Sequence, residues 1–423
     1  MTVASTTNQI LFTNVNVFDG ENETLIQAAH VLVEANVVKQ ISTSPITADD
    51  ATVIDGAGRT LMPGIVESHA HLSLAAASVP ELLTELPSYA TILSVLQAEL
   101  MLMNGVTTAR DLGGEVFGLK RAIDGGLVPG PRLYPSGALI SQTSGHADYR
   151  FPDQTNPGLC GPVPATDLKH YSVLVDGVPR MLAAAREQLR LGATQIKVCI
   201  GGGVASPTDP IDVTEFTTEE IAAAVACAEN WGTYVTVHGY TVRAINQALD
   251  AGVKVIEHGQ LLDEKTLQRM VDEGAWLSFQ PFTHHHEDNL NDAQNAKQAI
   301  VADGTEGIYK LIKAMPDLKV THGTDTYLNP PDGVKGDVKQ MERLLKWFTP
   351  FEILKMATSN VGELVKLTGP RNPYPLDLGV VKEGAYADLL LVNGNPLEDL
   401  TMVTDNENLR VIMKDGKVYK NTL

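Results

Sequence analysis

Short apolar runs broken by polar turns open the chain, at residues 10–17, 29–33 and 37–41. A further run at 52–54 leads into the turn Asp55-Gly56-Ala57-Gly58. Runs this short, rich in Val and Ile and bounded by Gly, Asn and Asp, read as β-strands. The same texture returns only at the other end, at 387–392 and 410–413, and Asp415-Gly416 then makes a hairpin turn before 417–419. Two β-rich ends around a different middle predict one small β-sandwich-like domain built from both termini, residues 1–62 plus 370–423.

Between residues 63 and 369 the pattern changes. Apolar runs at 106–109, 195–200, 234–237, 253–256, 276–279 and 318–320 read as strands. The stretches 81–103, 179–191, 218–230, 242–251 and 263–272 read as helices. Strands alternating with helices predict an α/β fold with a parallel sheet. The number of units suits a closed (β/α)8 TIM barrel. Two stretches interrupt the alternation, 141–176 and 281 to about 305, and are expected to be long loops of the kind that serve as lids.

Composition narrows the partners. The chain has 423 residues, 43% of them hydrophobic, enough for a large buried core. Its 32 basic and 51 acidic residues give a formal net charge of −19, which argues against a nucleic-acid backbone or an anionic membrane as the main partner. A small substrate stays open, because a buried cleft can carry the opposite sign to the surface. No apolar run approaches the ~20 residues that span a bilayer, and residues 1–10 carry neither a basic region nor an apolar run. With no signal peptide or transmembrane segment visible, the expectation is a soluble protein, cytoplasmic or secreted in mature form. Three cysteines, Cys160, Cys199 and Cys227, are sparse and lack metal-type spacing. A disulfide framework is not expected, and Cys199 and Cys227 read as small core residues.

Candidate chemistry begins at Pro63-Gly64-Ile65-Val66-Glu67-Ser68-His69-Ala70-His71. On a strand His69 and His71 point to one side and can reach one divalent cation; they can equally face solvent. Lys197, in Gln195-Ile196-Lys197-Val198-Cys199, shares a face with Gln195 and Cys199. Inside a barrel its ammonium would be poorly solvated, and would shift its pKa or find a partner. A neutral amine there can take up carbon dioxide as a carbamate; the plainer reading is a lysine paired with a carboxylate. His238, His258 and Asp325 each stand at or just beyond the C-terminal end of an expected strand, the edge where barrel enzymes carry their chemistry. A lone histidine at a strand end is usually structural. Several together, in separate strands, are harder to explain that way.

In order and strand position, His69-x-His71, Lys197, His238, His258 and Asp325 resemble the amidohydrolase superfamily. Pro63-Gly64, Glu257-His258-Gly259, Gly323-Thr324-Asp325 and the closing stretch 384–391 fit it too. The resemblance runs over nearly the whole chain. Three features are similar to the imidazolonepropionase-like branch of Xaa-Pro and Xaa-Arg/Lys dipeptidases and carboxypeptidases, near which ochratoxin-hydrolysing amidohydrolases lie. These are Ser144-Gly145-His146-Ala147-Asp148, the Gly201-Gly202-Gly203 run after Lys197, and His238-Gly239-Tyr240. One departure is Glu67, where the superfamily commonly has aspartate.

The resemblance implies two divalent metal ions, with zinc as the default and manganese or cobalt also suited to such ligands. His69 and His71 would bind the first, His238 and His258 the second, and carbamylated Lys197 would bridge them. Asp325 would bind the first metal and handle protons, while a metal-bridging hydroxide attacks the substrate. His146 and Tyr240 would contact the substrate carbonyl or the tetrahedral intermediate. The implied reaction is hydrolysis of an amide or peptide bond to a C-terminal amino acid, in a dipeptide, an N-acyl amino acid or an ochratoxin-type amide. A homo-oligomer is expected, as is common in such families. A single-metal cyclic amidase or deaminase is the alternative within the superfamily, against which Lys197 argues. A non-catalytic scaffold is a third reading, from another class, and such relatives lose metal ligands.

Other motifs take plainer readings. Gly201-Gly202-Gly203 lacks the lysine and Ser/Thr of a P-loop and reads as a loop close to the metal site. His284-His285-His286 reads as part of a loop after the seventh strand. Arg110-Asp111 reads as an internal ion pair, and Arg150 or Arg110 is a candidate for a substrate carboxylate.

Overall fold

In a computed structural model of the chain, which describes residues 9–206, 208–284 and 290–423, both ends meet in one eight-stranded sheet. Its order is Lys417–Asn421, Leu409–Lys414, Leu389–Val392, Thr60–Pro63, Gln9–Val17, Ile26–Glu34 and Val37–Ser42, with Thr52–Asp55 also paired to Gln9–Val17. Leu389–Val392 runs antiparallel to Thr60–Pro63, with Leu390 opposite Met62, and so joins the two ends. Leu389 and Leu391 turn to a core with Phe12, Val31, Leu61 and Val411. Leu390 and Val392 turn to the main core with Met62 and Ile65. Covered on both faces, this strand has no polar side to show, hence its unbroken apolar run.

The middle of the chain is α/β. Three strands, Ile65–Ala70, Val106–Asp111 and Arg132–Pro135, form one sheet. A second has the order Ser172–Leu174, Leu139–Ser141, Ile196–Cys199, Val235–Thr241, Val255–Leu261, Trp276–Phe279 and Lys319–His322. Every pairing in both is parallel, which requires crossover connections. Helices Pro87–Met103 and Phe117–Asp124 supply them in the first sheet, and Val178–Leu191, Thr218–Trp231, Val242–Asp250, Glu264–Glu273 and Asp292–Ala314 in the second. Local signals start these helices: Thr217 and Glu220 form a capping box before Thr218–Trp231, and Asp263 caps Glu264–Glu273. Hydrogen bonds also link the two parallel sheets directly. Thr194 N–H donates to Pro135 O at 2.8 Å, the Ser68 and Thr321 hydroxyls meet at 2.9 Å, and Asp325 N–H donates to His69 O at 2.9 Å.

Three expectations need correction. The helix expected at 81–103 is two helices, Val79–Thr84 and Pro87–Met103. Pro87 has no N–H to give, and its ring pushes Leu86 into an extended conformation at φ −65° and ψ 144°. The stretch 141–176 is not one loop. It holds a 3₁₀ turn, Pro157–Leu159, a helix, Ala165–Leu168, and the strand Ser172–Leu174, which pairs with Leu139–Ser141. Elements this short leave no periodic trace. The second expected loop ends early, because an Asn291–Gln294 capping box starts the helix Asp292–Ala314. Its polar first turns, with Gly304 and Gly307, hide the helical spacing. No helix among the described residues is long and apolar enough to cross a membrane.

Candidate active site

Strands carry the candidate residues to one place, and two of them run three residues past the ends expected at His238 and His258. His69 lies in Ile65–Ala70 and His71 just after it; Lys197 lies in Ile196–Cys199, His238 in Val235–Thr241 and His258 in Val255–Leu261. Asp325 follows Lys319–His322. All six line one cavity of about 390 Å³, together with His146 and Tyr240. Alternation does the sorting in Ile196–Cys199: Ile196 and Val198 enter the main core, while Lys197 and Cys199 face the cavity.

Hydrogen bonds orient the imidazoles. His69 Nδ1 lies 3.0 Å from Glu257 Oε2, and His71 Nδ1 lies 3.2 Å from Gly113 O. These acceptors assign the proton to Nδ1 in both rings and leave each Nε2 with a free lone pair. The two Nε2 atoms are 3.2 Å apart, and Asp325 Oδ1 is 3.3 Å from one and 3.4 Å from the other. Three acceptors with no proton between them repel unless a cation lies among them. Donor atoms of His69, His258 and Asp325 also fall within 4.8 Å of one another. His258 Nδ1 meets Gln280 Oε1 at 2.6 Å, which frees its Nε2; His238 Nε2 meets Gly202 O at 3.2 Å, which frees its Nδ1. Imidazoles partnered on their outer side, with a carboxylate among their free nitrogens, fit a divalent cation.

The backbone is held to suit. His258 has φ 77° and Asp325 φ 50°, left-handed conformations that cost an L-residue about 1–2 kcal/mol. Glu67 Oε1 accepts His69 N–H at 2.7 Å and Thr324 N–H at 2.9 Å, so one carboxylate ties the two ligand-bearing segments together. Burial pushes that carboxyl up to about 7. Close approach of the segments requires Gly323, where a Cβ would come within 2.6 Å of His69 Cβ.

Burial sets the charge states. It pulls the Lys197 amine below its ordinary value, against Glu257, Cys199 and Asp325, which favours the neutral form that carbamylation needs. Burial likewise lowers His69 to about 4, His258 to about 3 and His238 well below the usual range. These rings are therefore neutral and able to ligate. Burial raises the Asp325 carboxyl, but His69, then His71 and His258, outweigh it and hold it well below the carboxylate range.

Beside these groups, the His146 ring stacks on His238 at 4.0 Å between centroids, and Tyr240 packs edge-on against His238 at 5.0 Å. His146 Nδ1 meets Ser206 Oγ at 2.8 Å and lies 3.7 Å from Asp209 Oδ2, which directs Nε2 away from both. Gly203 makes room: a Cβ there would lie 1.9 Å from the ring. Burial raises the Tyr240 hydroxyl well above its ordinary value, so it stays protonated as a donor.

Several residues change roles. Arg110 is an internal ion-pair partner, but its counter-charge is Glu257 rather than Asp111. It also donates to Ser68 O at 2.8 Å and is fully buried, out of reach of any substrate. Asp111 instead accepts Leu72 N–H at 2.8 Å. Arg150 chelates Asp148 at 2.8 and 2.6 Å. His284 is exposed, 3.0 Å from Asp303, while His285 and His286 lie outside the described residues. Cys199 and Cys227 are buried. Glu257 was read from the sequence only as a framing residue beside His258, with no role of its own. Its signal is a lone carboxylate, itself buried, in the strand Val255–Leu261.

The profile of the amidohydrolase family matches residues 60–419. The chain belongs to this family. Among curated relatives, this amidohydrolase-family chain is 32% identical to ochratoxinase from Aspergillus niger over 329 residues, 75% of this chain and 66% of that protein. The match thus spans just under two thirds of the relative's length. Among solved structures, a prolidase in complex with N-methylphosphonate-L-proline is similar with a TM-score of 0.89 and 33% identity, covering 98% of this chain and 100% of that one. The crystal structure of A. niger ochratoxinase has a TM-score of 0.84 at 25% identity, covering 98% and 96%.

Proposed function

We propose that this amidohydrolase-family protein is a binuclear metal-dependent hydrolase that cleaves the amide bond to a C-terminal amino acid. The observation that carries the reading is the convergence of His69 Nε2, His71 Nε2 and Asp325 Oδ1 within 3.2 to 3.4 Å, with each histidine's other nitrogen already engaged. In this reading His69, His71 and Asp325 would hold one metal and His238 and His258 the other, with carbamylated Lys197 as a ligand available to both. A bound metal pair supplies Lewis acidity, lowering the pKa of water towards ~7 and polarising a carbonyl. Asp325 accepts the proton released by the attacking water and delivers it to the leaving amine. His146 Nε2 and the Tyr240 hydroxyl donate to the carbonyl oxygen as its charge grows.

The two parallel sheets then close into one (β/α)8 barrel over residues 63–369, in which Arg132–Pro135 and Leu139–Ser141 together make one strand and Ser172–Leu174 lies outside the eight; a small β domain of residues 1–62 and 370–423 flanks it. The hydrogen bonds from Thr194 to Pro135, Ser68 to Thr321 and Asp325 to His69 support the closure. The ochratoxinase and the prolidase among its relatives support an amide substrate. The buried, depressed amine of Lys197 favours a metal pair over a single-metal cyclic amidase.

Metal analysis of the purified protein, followed by a hydrolysis screen of dipeptides and N-acyl amino acids varied at the C-terminal residue, tests this reading. Two metals per chain and turnover on part of the panel are expected. A metal-replete protein that hydrolyses none of the panel overturns it.

A further inference from the structure

One wall of the cavity is formed by the 3₁₀ segment Asp337–Lys346. Three residues per turn put positions i, i+3 and i+6 in one column. Val338, Met341 and Leu344 form the column that enters the core. Asp337, Gln340 and Arg343 form the column that lines the cavity. Accessibility rises along it, from buried Asp337 through half-buried Gln340 to exposed Arg343.

Lysine and arginine side chains reach this cavity at Lys197, Lys335 and Arg343. Lys197 is buried, and Lys335 has a counter-charge in Asp332 at 3.5 Å. Arg343 takes part in no hydrogen bond or ion pair among the described residues. Elsewhere arginines are engaged: Arg110 with Glu257, Arg132 with Asp388, Arg150 with Asp148. A guanidinium is a planar fork matched to two carboxylate oxygens. One left free on a cavity wall, in a protein of net charge −19, is a local attraction for an anion that the rest of the surface repels.

We propose that Arg343, with the Gln340 amide beside it in the column, receives the free carboxylate of the substrate's C-terminal amino acid. This rests on the amide-hydrolase reading above and makes Arg343 the residue that selects acids over their neutral analogues. Binding there holds the substrate equally before and during reaction, so it acts on KM rather than kcat.

The test compares hydrolysis of N-benzoyl-L-phenylalanine and N-benzoyl-L-phenylalaninamide, following benzoate release, in wild type, Arg343→Ala and Arg343→Lys. Calorimetric binding of 3-phenylpropanoate and 3-phenylpropan-1-ol, neither of which can be hydrolysed, runs alongside. Arg343→Ala is expected to raise KM for the acid about 10- to 100-fold, the scale of a lost charge-assisted pair, and to leave the amide unchanged. Arg343→Lys, which keeps the charge but not the fork, recovers part of the loss. In calorimetry the alanine variant loses 3-phenylpropanoate about tenfold or more and treats the alcohol as wild type does. An unchanged preference for acid over neutral probe in Arg343→Ala overturns the proposal. If metal-replete wild type hydrolyses nothing on the dipeptide and N-acyl amino acid panel yet binds 3-phenylpropanoate through Arg343, the hydrolase reading falls and the carboxylate site stands.

Discussion

Glu257 Oε2 lies 3.0 Å from His69 Nδ1, at the opposite end of the ring from the nitrogen that faces Asp325. The other oxygen of the same carboxylate takes Arg110 and Thr236. Burial alone would raise this carboxyl, but Arg110, then His69 and Lys197, hold it well below its usual range. Glu257 is thus a fixed negative charge that sets the tautomer of His69 and neutralises a buried guanidinium.

Glu257→Gln is therefore expected to weaken metal binding by about 10- to 100-fold. The metal-free variant should also lose roughly 3–5 kcal/mol of stability, because Arg110 is left without its counter-charge. Metal titration and urea unfolding in a chelator measure the two separately. Wild-type values in both would show that Glu257 does neither task.

Lys197→Ala should lose most activity while the protein still folds, because Lys197 is the proposed bridge between metals. Added short carboxylic acids, which can supply a bridging group, should restore part of it. Full activity without such an acid is incompatible with the bridge.

For Asp325→Asn, turnover should drop by about 10² to 10⁴ with much less change in substrate affinity, as expected of a lost proton carrier. Kinetics on protein checked for metal content decide the point. A loss under about tenfold with metals bound removes the proton-transfer role.

His146→Ala and Tyr240→Phe should each cut turnover by about 10² to 10³, the scale of a lost oxyanion donor, at unchanged metal content. Gly203→Ala should mimic His146→Ala, since its Cβ would lie 1.9 Å from the His146 ring and displace it. Near-normal turnover in all three would leave His146 and Tyr240 as packing residues.

Acid should destabilise the metal-free protein partly through His322, which is buried and not among the proposed ligands. Burial lowers its folded value to about 4 from the ordinary 6.5. The unfolded chain therefore binds the proton first, and stability is lost as pH falls from about 6.5 through about 4. His322→Leu should show a shallower loss across that window in denaturant titrations at stepped pH. An unchanged slope would mean that His322 is protonated in the folded protein at ordinary values.

Much of this architecture can be read from the residues alone, for a physical reason. Parallel strands expose one edge of backbone and side chain at their C-terminal ends, so His238, His258 and Asp325 could be located once their strands were recognised. Lys197 was legible because Ile196 and Val198 flank it with the alternation of a strand covered on one side. What stayed hidden depends on partners. Arg110 and Arg150 were the candidates for a substrate carboxylate, yet both are neutralised by carboxylates, Glu257 and Asp148, and nothing in the sequence pattern marks Arg343 as the unpaired one. Glu257 sits next to His258 in sequence but serves His69, from a different strand. The break at Leu86 was legible in Pro87, whereas the three-residue strand Ser172–Leu174 owes its form to its neighbour Leu139–Ser141.

The strand Thr60–Pro63 lies between Gln9–Val17, made just before it, and Leu389–Val392, made after the entire parallel-stranded middle. During synthesis this strand therefore emerges from the ribosome with one edge satisfied and the other open. Unpaired edges of this kind recruit other chains. Leu409–Lys414 can dock only once Leu389–Val392 is in place, so strands translated after the parallel-stranded middle close a sheet begun before it. A chain released before those strands are made would carry that open edge, and soluble yield then depends on how quickly Leu389–Val392 finds its place.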